Sequence, residues 1–326
     1  MVLNQYDKSP LTSTGAKRTA EVKPSVAAVV LNWNGRERVL ETISALYKSE
    51  YPLQEIFMVD NGSMDGSVDA VKSKFPTVKI LPQATNLGAS EGRNIGIRQA
   101  LALGVEYVFN IDNDIEVQPR TIRELICVAE QHSDVGIVGT MMYFKDSPCL
   151  IQNVGAQISF RQNVHLPIGW LQQDRGQFVE PIEVDMVGSG AMLTRSEVFR
   201  QAGYFDAGYL GCQLDDTDFC MKVRRAGWKI VCNPRAKILH DFHFNHRYTY
   251  RRKYLESHNA VLFLRKYGRS IDWAKYLFFA IGGLPYAFVR EMFQGNLRGV
   301  FGKAQGLLDA LLRREHRALQ VFQSRD

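Results

Sequence analysis

EYVFNIDND, residues 106–114, is an apolar run that stops in three consecutive polar residues, Asp112-Asn113-Asp114. Aromatic and β-branched residues in so short a run, closed by Asx residues, predict a buried strand whose carboxyl end turns out of a sheet. Working outward, SVAAVVLN (25–32) and EIFMVDN (55–61) repeat the pattern, and they run into Asn32-Trp33-Asn34-Gly35 and Asp60-Asn61-Gly62-Ser63. VKILP (78–82) and GIVGTMMYF (136–144) add two more strands. Between them, Val39, Leu40, Ile43, Leu46 and Tyr47 recur at helical spacing, and 67–75, 91–103 and 119–131 read as further helices. Strand and helix alternating over short connections predict an α/β fold with a doubly wound, mostly parallel, Rossmann-like sheet. Such sheets bind ligands beyond the carboxyl ends of their strands, and all three polar clusters fall there.

After residue 145 the pattern loosens. Residues 146–182 read as an irregular edge hairpin, and 184–199 as a strand, a Gly turn and a helix start. Asp215 to Ala226 is helical, and WKIVCNP and AKILH read as the final strands. Residues 1–23 are polar, with little to bury, and predict a flexible tail without the apolar core of a signal peptide.

The 326 residues are 45% apolar and 23% charged, which excludes global disorder and fibrous classes. Five cysteines without a CxxC pair (Cys127, Cys149, Cys212, Cys220 and Cys232) argue against a disulfide framework and for a reducing compartment. The net charge of +6 belongs to the last 62 residues, where 11 Lys and Arg face 5 Asp and Glu. The remaining body is neutral, which argues against a nucleic-acid-binding core.

Asp112 and Asp114 can together reach one divalent cation, Mg²⁺ or Mn²⁺, and the diphosphate it bridges. A strand-ending Asx turn is the plainer reading. An EF-hand is excluded, because Val117 stands where that loop needs Gly. Asp60-Asn61-Gly62 offers a nucleobase edge or simply a turn. The loop Asn86-Leu87-Gly88-Ala89-Ser90-Glu91-Gly92-Arg93-Asn94 opens a helix and matches neither the dinucleotide nor the Walker A pattern, although Arg93 adds a positive fork. Asp215-Asp216-Thr217-Asp218 puts three carboxylates at one helix start, more than capping requires, which favours a functional acid. His240, His243 and His246 lie near a strand end, and one of them supplementing the Asp112/Asp114 cation is more economical than a zinc site.

In this order the stretches resemble the inverting glycosyltransferase family 2 of the GT-A fold, in its rhamnosyltransferase-like branch. The matching pieces run from about Val26 to Gly268: VVLNWNGRERVLETISAL, VDNGSMDGS, NLGASEGRNIGIRQAL, NIDNDIEVQP, VGSGAMLTRSEVF, DDTDFCMKVRRAGWKIVCNPRAKILH and RYTYRRKYLESHNAVLFLRKYG. The resemblance implies that Asp60, Asn32 and Asn34 line the nucleotide pocket. Asn86, Gly88, Arg93 and Asn94 would lie near the diphosphate or the loop over it. Asp112 and Asp114 would hold the metal–diphosphate with His240 completing the shell, Gly188-Ser189-Gly190 would form the donor–acceptor junction, and Asp216 would be the general base. Asp215 stands where the family usually has Glu, one methylene longer. The implied donor is dTDP-rhamnose or a UDP-sugar, and the implied acceptor a glycan or lipid-linked hydroxyl in cell-surface polysaccharide synthesis. A sugar nucleotidyltransferase would need a Lys-bearing loop after the first strand, and a catalytically inactive glycan-binding protein would lack one of the acids.

These readings give a catalytic domain over 24–268 and a basic, amphipathic helical region over 269–326. Trp273–Val289 is apolar but broken by Lys275, Gly282-Gly283 and Pro285. The region fits either peripheral contact with an anionic membrane at the cytoplasmic face of the plasma membrane, or helices packed on the catalytic domain or in an oligomer contact.

Overall fold

The computed structural model describes residues 23–160, 164–211, 213–242, 249–293 and 297–324. In chain order the first half runs β1 (Val26–Asn32), α1 (Arg36–Tyr47), β2 (Glu55–Asp60), α2 (Ser67–Lys74), β3 (Lys79–Pro82), α3 (Ala89–Ala102), β4 (Tyr107–Asp112), β5 (Ile115–Val117), α4 (Thr121–Gln131) and β6 (Val135–Phe144). Then come β7 (Ser147–Asn153), β8 (Ala156–Ile158), β9 (His165–Pro167), β10 (Gln172–Gln173), β11 (Ile182–Glu183), β12 (Ala191–Arg195), α5 (Ser196–Ala202), α6 (Asp215–Arg225) and β13 (Lys229–His240). Four helices close the chain: α7 (Tyr250–Tyr267), α8 (Ser270–Phe293), α9 (Leu297–Leu311) and α10 (Glu315–Gln323).

One sheet runs in the order β10-β7-β6-β12-β4-β1-β2-β3, with β13 beside β6. β3, β2, β1 and β4 are mutually parallel, and β6 and β13 point the same way. The alternation of β1 splits its residues between two cores. Val26, Ala28 and Val30 face α1 and α4, while Ala27 and Val29 face α3, α5 and α6. All five are completely buried, as expected for a central strand covered by helices on both faces.

Three features differ from the sequence reading. The strand expected from 106 to 114 stops at Asp112, because the Asn113-Asp114 turn intervenes before β5; Thr42 Oγ1 pins that turn by donating to the Asn113 and Ile115 carbonyls at 3.0 and 2.8 Å. Within 184–199 the strand follows the Gly turn instead of preceding it, and β12 runs antiparallel between β4 and β6. Its beginning therefore lies at the edge where the parallel strands end: Ala191 pairs with Ile111, and the Asp112 N–H donates to the Gly190 carbonyl at 2.9 Å. The two final strands are one, β13, with a register shift between Asn233 and Lys237, where Pro234 has no N–H to give the ladder.

At the C-terminus, α7, α9 and α10 join around Tyr254, Leu255, Ala318, Phe322 and Leu307. α9 lies so near α7 that a Cβ on Gly302 or Gly306 would stand 2.3 or 2.1 Å from the Tyr250 or Tyr254 carbonyl oxygen. α8 carries Phe278, Tyr286 and Phe293 at 74%, 72% and 82% exposure. Among the described residues no helix is long and apolar enough to cross a membrane.

Candidate active site

The polar residues at the ends of β1, β2 and β4 form one hydrogen-bonded net. Asn32, fully buried, donates to Asp60 Oδ1 at 2.9 Å and to Ser63 Oγ at 3.2 Å, and it accepts from Asn113 Nδ2 at 2.7 Å. The Ser63 N–H takes the other oxygen of Asp60 at 3.0 Å. Asn34, at φ 47°, accepts from the Met64 N–H at 2.8 Å. Asp60 is thus buried with both oxygens engaged, one by Asn32 and one by Ser63. Asn61, readable as a plain turn residue, is a clamp. Its amide donates to Asn86 Oδ1 at 2.9 Å and to the Gly88 carbonyl at 3.0 Å, and its oxygen accepts from the Leu87 N–H at 3.0 Å.

Arg93 enters from the first turns of α3. One amine of its guanidinium takes both oxygens of Asp112 at 2.7 and 2.9 Å; the other meets Asp215 Oδ2 at 3.1 Å. Arg93 is therefore a buried strut between β4 and α6, with its charge already matched by two carboxylates. Asn94 binds both backbone groups of Phe205, its amide donating to the carbonyl at 2.9 Å and its oxygen accepting from the N–H at 3.0 Å, so it fastens a loop.

The three acids of α6 have three separate surroundings. Leu214, just before them, is held at φ 66°, a left-handed conformation uncommon for a branched residue and a mark of local strain. Asp215 is buried against Arg93. Burial lifts its pKa to about 7, Arg93 pulls the other way, and Asp216 and Asp112 add to the rise. Asp216 is half-buried, and burial raises its pKa too, opposed by the Thr217 N–H and hydroxyl, Arg93 and the Ser189 N–H. Its Oδ1 accepts from the Thr217 N–H at 2.7 Å, while Oδ2 lies 3.9 Å from where a Cβ on Gly188 would stand. Asp218 turns away and accepts from Lys266 and Tyr267 of α7 at 2.9 Å each and from Tyr209 at 3.1 Å. His165, from the β8–β9 hairpin, brings Nδ1 to 3.4 Å from Thr217 Oγ1, a neighbour that no sequence motif announced.

Asp114 sits across from these acids. Its Oδ1 is buried with no hydrogen-bond partner, and Oδ2 stands 3.6 Å from His240 Nε2, whose Nδ1 shares a hydrogen with Gln152 Oε1 at 2.8 Å. Burial pushes the Asp114 pKa up, but His240 and Arg38 more than offset this and hold it below the ordinary carboxylate value. An unpartnered carboxylate oxygen beside an imidazole with an anchored ring fits a divalent cation that takes its remaining ligands from phosphate and water. Asp112 belongs to Arg93 in this arrangement, and among the described residues no group of three His, Cys, Asp or Glu converges on one point. His243 and His246 lie outside the described residues.

The cleft along this edge encloses about 530 Å³. Leu31, Trp33, Asn61, Asn86, Gly88, Arg93, Asp112 and Asp114 line it, together with Thr249, Arg251, Arg252 and Phe322 from the C-terminal region.

A doubly wound sheet with an antiparallel strand inserted beside β4 and acids at the strand ends is the architecture of a GT-A glycosyltransferase. The glycosyl transferase family 2 model matches residues 27–203, and the chain belongs to that family. It is 27% identical over 237 residues to the N-acetylglucosaminyl-diphospho-decaprenol L-rhamnosyltransferase of Mycobacterium tuberculosis, covering 68% of this chain and 76% of that one. Among solved structures it resembles the mannosyltransferase PcManGT from Pyrobaculum calidifontis in complex with GDP-Man and Mn²⁺, at a TM-score of 0.53 and 15% identity over 94% of this chain and 88% of that one. It also resembles GalNAc-T7 with UDP, GalNAc and Mn²⁺, at a TM-score of 0.56 and 16% identity over 67% of this chain and 44% of that one. At such identities these structures speak to the fold alone.

Proposed function

We propose that the protein is a metal-dependent, inverting glycosyltransferase that moves a sugar from dTDP-rhamnose or a UDP-sugar to a hydroxyl of a glycan or lipid-linked acceptor. The observation that carries this reading is Asp216: a carboxylate made more basic by burial, with Oδ1 tied to Thr217 and Oδ2 beside Gly188. Such a group serves as a general base. Oδ2 accepts the acceptor's proton while the acceptor oxygen forms its bond to the anomeric carbon. The bond from that carbon to the diphosphate breaks on the opposite face, and the leaving group departs with the electron pair. Asp114 and His240 would hold the cation, which when bound neutralises charge on the leaving diphosphate. The likeness to the Mycobacterium tuberculosis N-acetylglucosaminyl-diphospho-decaprenol L-rhamnosyltransferase supports a rhamnosyl donor and a lipid-linked acceptor.

We place the protein at the cytoplasmic face of the membrane, resting on α8 with Phe278, Tyr286 and Phe293 outward and the basic C-terminal residues beside them. The first test is thermal stability with UDP, dTDP, GDP or ADP, each with Mn²⁺ or with EDTA. Saturation at about 100 times the dissociation constant adds about 2.7 kcal/mol. Stabilisation by a pyrimidine nucleotide only with Mn²⁺ supports the donor site, and none with any nucleotide refutes it. Asp216→Asn should bind donor as before and lose about 10²–10⁴-fold in transfer; near-normal transfer would remove Asp216 as the base.

A further inference from the structure

The diphosphate of the donor must lie among carboxylates, and the cations nearest to it differ in how much charge they have left. Arg93 is matched by Asp112 and Asp215, Arg252 pairs with Glu256 at 3.2 Å, and the charge of Arg38 acts on Asp114. Arg251 carries no carboxylate among the described residues. Its Nη2 donates to the Phe322 carbonyl in the last turn of α10 at 2.6 Å, and its guanidinium lies 5.3 Å from the centre of the Phe322 ring. Its Nε is buried without an acceptor.

Phe322 is anchored in turn. It is 7% exposed, sits among Tyr254, Leu255 and Ala318, and comes within 3.7 Å of where a Cβ on Gly88 would stand. One end of this side chain thus belongs to the C-terminal helices and the other to the loop that Asn61 clamps. The contact fixes the guanidinium plane on a wall of the cleft that also holds Asp112 and Asp114. A planar fork with unspent donors is matched by two phosphate oxygens, and a buried donor without an acceptor is satisfied when one arrives.

We infer that Arg251 binds the diphosphate of the sugar donor, and that Phe322 of α10 is the positioning residue that orients it. This rests on the donor reading proposed above, and it makes the last helix a working wall of the catalytic cleft.

The test measures affinities of the full chain, with Mn²⁺, for UDP and dTDP and for uridine and thymidine, which lack phosphates. Arg251→Gln should weaken the diphosphates about tenfold to a hundredfold, the worth of a charge-assisted hydrogen bond, with nucleoside affinity changed less than about threefold. Phe322→Ala should cause a smaller loss of the same kind. The double variant should be no weaker than Arg251→Gln alone, because Phe322 acts through Arg251. Wild-type affinity for UDP and dTDP in Arg251→Gln overturns the inference and leaves the donor site intact. A wild-type protein that binds neither diphosphate overturns both readings. Should Arg251→Gln fail to fold, Arg251→Lys and Phe322→Ala carry the test, and unchanged diphosphate affinity in both overturns the inference.

Discussion

Replacing Arg93 by Gln tests the buried strut at the centre of the site. The guanidinium side chain is 4% exposed, that of Asp215 3% and that of Asp112 32%. Asp112 can re-solvate when its partner goes; Asp215 cannot. Breaking a buried pair from one side costs about 3–5 kcal/mol. At about 2.1 cal/mol/K of unfolding entropy per residue, a chain of roughly 300 ordered residues loses about 5–8 °C in its melting midpoint. The sign of the pH dependence follows from Asp215, whose pKa of about 7 lies above that of an unfolded aspartate. The folded state holds a proton that the unfolded chain releases, so this group lowers stability as pH rises through that window. Without Arg93 the pKa climbs further, and the penalty is largest once the carboxyl must ionise. Urea unfolding followed by far-UV circular dichroism near pH 8 should show the full loss. Near pH 5, where Asp215 is already protonated, the loss should shrink toward the ~1.5–3 kcal/mol of hydrogen bonds made by a charged group. Equal losses at the two pH values, or less than about 1 kcal/mol near pH 8, would refute the strut.

Asn61→Ala removes three hydrogen bonds to the 86–88 loop and should weaken nucleotide binding at least about tenfold while the melting midpoint falls little, as calorimetric titration with UDP or dTDP would show. Gly96→Ala places a Cβ 2.3 Å from Val29 Cγ1, where α3 crosses β1, and overpacking of about 1–3 kcal/mol should appear in urea melts. Phe278→Ser with Phe293→Ser on α8 should release the protein from vesicles containing phosphatidylserine in co-sedimentation; binding equal to wild type would remove α8 as the contact.

The parallel half of the fold was legible because a strand covered on both faces must be a short apolar run, and its carboxyl end must be polar to meet a ligand and water. Asn32, Asp60, Asp112 and Asp114 stood out for that reason, and the structure brings all four to one edge. The direction of β12 was not legible, since five residues of strand carry no mark of which way they run. Nor were the partners of Arg93, which lie 19 and 122 residues away, so a residue read as a positive fork for phosphate proves to be internally matched. Asn61 looked like a turn because an Asn-Gly pair usually is one. Phe322 was readable only as one apolar position of an amphipathic helix, and nothing local says that its face meets Gly88.

The crowding of three acids at the start of α6 has a structural resolution. Asp215 ties the helix through Arg93 to Asp112 at the end of β4, and Asp218 ties it to α7 through Lys266 and Tyr267 and to the α5–α6 connection through Tyr209. Asp216, between them, has Oδ1 bound to its own helix and Oδ2 beside Gly188, with the Ser189 N–H near the carboxylate. Two flanking carboxylates spent on separate anchors hold the third in place, so the orientation of the proposed base is set before any substrate arrives. The same anchors join the parallel sheet on one side to the C-terminal helices on the other. A substitution at Asp218, whose carboxylate faces Lys266, Tyr267 and Tyr209, should therefore lower turnover by tilting α6 while leaving nucleotide affinity near its starting value. Loss of nucleotide affinity in Asp218→Asn, with turnover at saturation unchanged, would contradict this account of why three acids stand together.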